Sequence, residues 1–156
     1  MSVVSTLVGG LLRPVLEQQA KGQSFQALAH ALERASTPVT ERLDRATDTL
    51  HNRKVAHHII GIERWGQRRL QVPLGEAFVD DSYQGYRLAE DADLATLRSA
   101  FGTTRRDTVE LVRELEAAKV DPTTKVCHND LGALSVGAWL AYLTSYGKRE
   151  SSKLKP

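Results

Sequence analysis

The chain has 156 residues, 41% hydrophobic and 26% charged, which suits one domain (1–156) able to bury a core without disulfides or a structural metal. Its 21 basic and 19 acidic residues leave a net charge of +2, giving no warrant for a nucleic-acid partner, which is normally met by a basic face or stripe. The lone cysteine, Cys127, excludes an internal disulfide framework and fits a reducing, cytoplasmic setting.

The opening MSVVSTLVGGLLRPVL is apolar, but no basic stretch precedes the apolar run, and Arg13 and Pro14 interrupt it. A secretory signal is therefore not expected. No stretch reaches the roughly 18 apolar residues of a membrane span, so no membrane partner is expected either. Residues 1–22 read as an irregular arm or a short docked helix. Ser24 can then cap a helix (SFQALAHALERA) with Phe25, Leu28, Ala29 and Leu32 on one stripe. Thr37 as cap and Pro38 in the first turn suit a further helical stretch, TPVTERLDRATDTL, and whether the two are one broken helix or two stays open.

The clearest helical period runs from about Asn52 to Leu70, with Val55, Ile59, Ile62 and Leu70 marking its apolar face and Pro73 and Gly75 ending it. About twenty residues without sustained period follow, from Gln71 to Asp91. A third major helix is expected from near Asp93 to about Lys119, and Asp121-Pro122 breaks it. KVCHNDLGAL reads as a loop, after which Ser135 can cap a fourth helix carrying Val136, Trp139, Leu140, Leu143 and Tyr146. Residues 150–156 read as a frayed, charged tail. Short loops make neighbouring helices antiparallel, whereas a long link lets consecutive helices run the same way. The expected fold is all-α, a four-helix bundle with one long crossover between the second and third major helices.

Helix geometry, at roughly 100° per residue, separates the adjacent histidines. Ile62 lies about 40° from His58 and Trp65 about 20° to its other side, so His58 borders the apolar stripe. His57 turns towards Arg64 and Arg68 and is expected in solvent. On the fourth helix Glu150 falls about 20° from the apolar centre at Leu143, and Tyr146 about 60° from it. A glutamate there is costly to bury unless it is paired, protonated or metal-bound; the alternative is that the helix has already emerged into water.

These segments carry a family resemblance. VAHHIIGIERWGQRRL resembles the second-helix motif of the DinB/YfiT-like superfamily, an inward histidine followed by glutamate and tryptophan, here His58, Glu63 and Trp65. LSVGAWLAYLTSYGKRES resembles the family's fourth helix, where two histidines four residues apart follow a Trp-Leu-x-Tyr-Leu run. The resemblance covers most of Asn52 to Lys153, and the first third matches loosely. It implies a four-helix bundle, often a homodimer, of a family named for damage-inducible expression, which does not establish DNA binding. Members commonly hold zinc or nickel through three histidines, and some branches resemble thiol-dependent transferases or metal-dependent hydrolases. Here the two helix-four positions are Tyr146 and Glu150, leaving His58 and Glu150 as an incomplete ligand set. His51 and His128 are the alternatives for completing it, but His51 lies about 10 Å along the helix from His58, and neither matches the family's positions.

Weaker constellations complete the reading. Cys127-His128 are neighbours in sequence, an arrangement that rarely gives attack geometry. Arg68-Arg69 and Arg105-Arg106 read as solvated helix faces, and no phosphate loop, nucleophile elbow or H-E-x-x-H motif is present. Three functions are weighed: a metal-free stress- or damage-response binding protein, with no cofactor; a metal-dependent transferase or hydrolase; and a small-molecule binding module. The last would use a bundle-end cavity at His58, Trp65, Tyr146 and Glu150.

Overall fold

The computed structural model describes the backbone of residues 3–156 and the side chains from residue 10 onward. In chain order the elements are α1 (Val3–Ala20), α2 (Phe25–Arg45), α3 (Leu50–Leu70), two 3-10 turns (Val72–Leu74 and Tyr83–Tyr86), α4 (Leu94–Ala117), β1 (Lys125–His128), β2 (Gly132–Ser135) and α5 (Val136–Ser151). Helices dominate, and none of those described is long and apolar enough to cross a membrane. Both α2 and α3 pack against α4 and α5, while α1 lies along α5.

Short polar side chains set the helix starts. Ser24, Thr49, Asp93 and Ser135 each accept a hydrogen bond from the backbone N–H three residues on, satisfying a donor the helix itself cannot pair. Apolar stripes then merge into two clusters. Leu32, Leu70, Leu115, Trp139 and Leu140 belong to one, and Val39, Ile60, Leu97 and Phe101 to the other.

Glycine decides how closely the elements approach. A Cβ on Gly66 would meet Leu143 Cδ2 at 2.7 Å, so the Leu143 side chain of α5 packs against α3 where an alanine would force it to shift. A Cβ on Gly61 would meet Arg87 Cγ at 2.8 Å and the Tyr83 carbonyl at 3.1 Å. The link after α3 therefore lies directly on the helix, carrying Tyr83 towards its apolar face.

Several expectations are corrected. The N-terminal segment forms an 18-residue helix rather than an arm or short helix. Leu16 and Ala20 bury its face, and Glu17 accepts hydrogen bonds from Lys125 Nζ (2.8 Å), Ser135 N–H (2.9 Å) and Ser135 Oγ (2.7 Å). Thr37 caps nothing, because α2 runs through Pro38 without a break. Proline removes one helix hydrogen bond, but Leu32 on one side and Val39 and Leu43 on the other are buried and carry the helix across.

The KVCHNDLGAL segment is not simply a loop. It holds an antiparallel hairpin in which Lys125 faces Ser135 and His128 faces Gly132, whose φ of 74° is the left-handed conformation glycine adopts freely. Trp139 Nε1–H donates to the Val126 carbonyl at 3.0 Å, tying the hairpin to α5. The tail does not fray. Asn52, fully buried, donates to the carbonyls of Thr47 (2.8 Å) and Lys155 (2.7 Å) and accepts the Lys155 N–H (2.9 Å), mimicking a backbone partner.

Candidate functional site

A pocket of about 410 Å³ opens where α3, α5, the hairpin and the link meet. His58, Ile62 and Trp65 line it from α3, at spacings of four and three that put them on one face. Tyr142 and Tyr146, four apart, do the same from α5. Tyr83 enters from the link, and His128, Asn129 and Asp130 from the end of β1 and its turn.

His58 Nε2 and the Tyr146 hydroxyl are 2.5 Å apart. Burial raises the Tyr146 pKa to about 12, and the nearby Glu150 carboxylate adds to the rise. Burial also lowers the pKa of His58; Glu150 opposes that fall, while Lys153 and Arg87 reinforce it. At neutral pH the pair is thus a phenol hydrogen-bonded to a neutral imidazole through Nε2. Tyr83 meets the same imidazole edge-on, with ring centroids 4.7 Å apart.

The wall behind Trp65 is polar and tied together. Trp65 Nε1–H donates to Asp81 Oδ1 (3.2 Å), and the Tyr86 hydroxyl donates to Asp81 Oδ2 (2.5 Å). Arg69, only 1% exposed, lies 5.0 Å over the Trp65 ring and 4.4 Å over Phe78. Its Nη2 donates to the Asp81 carbonyl (3.1 Å) and to Asn129 Oδ1 (3.0 Å). The link, α3 and the hairpin are joined at this point. The reading of Arg69 as solvated is corrected, since the link and hairpin cover the face it projects from.

Arg105 is likewise no surface residue. It forms a buried bidentate pair with Glu63, Nε to Oε1 at 2.7 Å and Nη2 to Oε2 at 2.9 Å. It also donates to the Leu32 carbonyl (2.9 Å), and Thr108 Oγ1 donates to Glu63 (2.8 Å). Every charged atom has a partner from a neighbouring helix, the condition for tolerating such a pair in a core.

Of the four residues marked in the sequence, His58, Trp65 and Tyr146 line the pocket and Glu150 does not. Glu150 is buried, yet its carboxylate pairs with Lys153 Nζ at 2.6 Å and Arg149 Nε at 3.8 Å. His57, expected in solvent, is buried beneath the link beside Arg87 and Glu90, because the face it points to is covered. His51 donates to the Lys153 carbonyl (2.9 Å), far along α3 from the pocket. Cys127 and His128 project to opposite faces of β1, so they form no catalytic pair.

Sequence reasoning missed Tyr83 and Tyr142 as pocket residues and weighed His128 only as a residue that could complete a metal-ligand set. The Val126/His128 alternation ahead of Asn-Asp-Leu-Gly was a hairpin signal, but four residues are too few to separate strand from loop. Among the described residues no three or more of His, Cys, Asp and Glu converge to hold a metal. The donor set fits zinc or nickel poorly in any case, since Nε2 of His58 is engaged by a phenol and Glu150 by an ammonium. Comparisons with protein-family models, with characterised proteins and with solved structures return no match.

Proposed function

We propose that this chain is a DinB-like helical bundle that binds a small organic molecule in the His58–Tyr146 pocket without a metal. The hydrogen bond between these two side chains, set in the wall of a cavity of about 410 Å³, carries this reading. Tyr146 and Glu150 stand where the resembled family has its second and third histidines. The phenol engages the Nε2 that would otherwise face a metal, and Lys153 supplies a positive charge to Glu150. Helices α2 to α5 then correspond to the family's four, with residues 71–93 as the long crossover and α1 as an addition. A stress- or damage-response role and a homodimeric state follow from the same resemblance, and light scattering tests the latter.

The pocket is of the size that small ligands use, mostly apolar with a few placed polar groups. Aromatic fragments screened against ¹⁵N-labelled protein test the proposal. Expected shifts cluster at the Trp65 indole and at the backbone of residues 128–131 and 142–146. Shifts mapping elsewhere would contradict it. So would near-stoichiometric nickel or zinc retained by untagged protein and lost on His58→Ala.

A further inference from the structure

His128 has an unusual hydrogen-bonding state. Its side chain is 3% exposed, and Nδ1 accepts the backbone N–H groups of both Asp130 (3.1 Å) and Leu131 (3.2 Å). A ring nitrogen that accepts twice carries no proton, so the neutral imidazole bears its hydrogen on Nε2. That nitrogen lies on the ring edge away from the turn and is buried with no hydrogen-bond partner. Its surroundings are aromatic, with the rings of Trp65, Trp139 and Tyr142 centred 5.0, 4.9 and 4.9 Å away. A fixed donor without an acceptor, in a side chain that lines the pocket, is the feature a ligand would complete.

Charge narrows the ligand class. Aromatic walls attract organic cations, but three rings of the pocket lining, Trp65, Tyr83 and Tyr146, already carry a guanidinium. Arg69 lies 5.0 Å from the Trp65 centroid, Arg87 5.9 Å from Tyr83 and Arg149 5.1 Å from Tyr146. A further cation would meet those charges across the rings. An anion would find the Arg69 guanidinium already facing the Asp81 carboxylate at 3.6 Å and Arg149 facing Glu150 at 3.8 Å. Resting on the pocket reading above, we infer that the ligand is an uncharged aromatic molecule whose hydrogen-bond acceptor is received by His128 Nε2–H.

Both tryptophans of the chain touch His128, so their fluorescence reports on the site. The probes are benzamide, toluene, benzoate and benzyltrimethylammonium, titrated into the full chain. Benzamide is expected to bind at least about tenfold more tightly than each of the others, the scale of one hydrogen bond to a buried donor. His128→Phe should bring benzamide down to the level of toluene and leave toluene unchanged. Because that variant replaces a core residue, the wild-type Nε2–H resonance gives a second readout, and benzamide should move it downfield. Tighter binding of either ion, or benzamide bound with that resonance unmoved, would overturn the inference while leaving the pocket a binding site. No response to any probe would overturn the pocket reading as well.

Discussion

Tyr146 and His58 exchange one proton-sharing contact that removing a single oxygen abolishes. Tyr146→Phe keeps the ring and deletes the donor, and is expected to lower stability by about 1 kcal/mol. With Tyr146 as donor the bond favours the neutral imidazole, and its loss should raise the His58 pKa from its depressed value, as an NMR titration would record. A lower value would mean that the imidazole donates instead, and an unchanged one that the bond is not made in solution. Glu150 allows a matched comparison. Being buried beside Lys153 and Arg149, it should lose about 1 kcal/mol more on Glu150→Ala than the exposed Glu114 does on Glu114→Ala, read from urea midpoints. At this scale the sequence was partly legible. Helical spacing put His58, Trp65 and Tyr146 near an apolar edge, but no spacing says that a distant hairpin delivers His128 to the same place.

Between elements, the Glu63–Arg105 pair joins α3 to α4 and reaches the α2 carbonyl of Leu32. Removing one partner strands a buried charge, so Arg105→Met alone should destabilise by roughly 3–5 kcal/mol. Combining it with Glu63→Leu should restore much of that loss, and a double-mutant cycle in urea checks the coupling. Effects that simply add would show the pair to be unimportant. Arg105 follows Phe101 by four residues, so the helical period did contain the signal that it faces inward. Arginine is rarely buried without a partner, and the partner, Glu63, lies 42 residues away, where helical spacing does not reach. The link presents the opposite case. Its lack of helical period was legible, while its seat on Gly61 was not, since one glycine inside a helix does not say what approaches it.

For the molecule as a whole, pH is the most direct lever. Burial lowers the His128 pKa from 6.5 to about 4. Between those values the unfolded chain takes up a proton that the native state refuses, so stability is expected to fall as pH drops from 6.5 to 4. The full span is about 3 kcal/mol, and below it the His128 contribution flattens. His57 and His58, also lowered mainly by burial, act in the same direction. Glu17 adds a loss lower down. Burial alone would raise its pKa, but hydrogen bonds from Lys125 and Ser135 hold it below 4.5, so its contribution disappears as pH falls through that range. Urea unfolding at pH 7 and pH 4.5 measures the sum, and equal stabilities would contradict a buried neutral His128. Helix content was the most legible feature at this scale, through caps and apolar period. α1, the hairpin and the docked tail were not, because the contacts that seat them, Glu17 with Ser135, Trp139 with Val126 and Asn52 with Lys155, join residues far apart in the chain.

The central claim is that the pocket binds an organic molecule with His58 and Tyr146 standing in for a metal. Its most direct test is a benzamide titration of chelator-stripped protein, followed by tryptophan fluorescence and repeated with equimolar zinc or nickel. The expected result is saturable binding with the same dissociation constant in all three conditions. Binding that appears only once metal is added would contradict the claim.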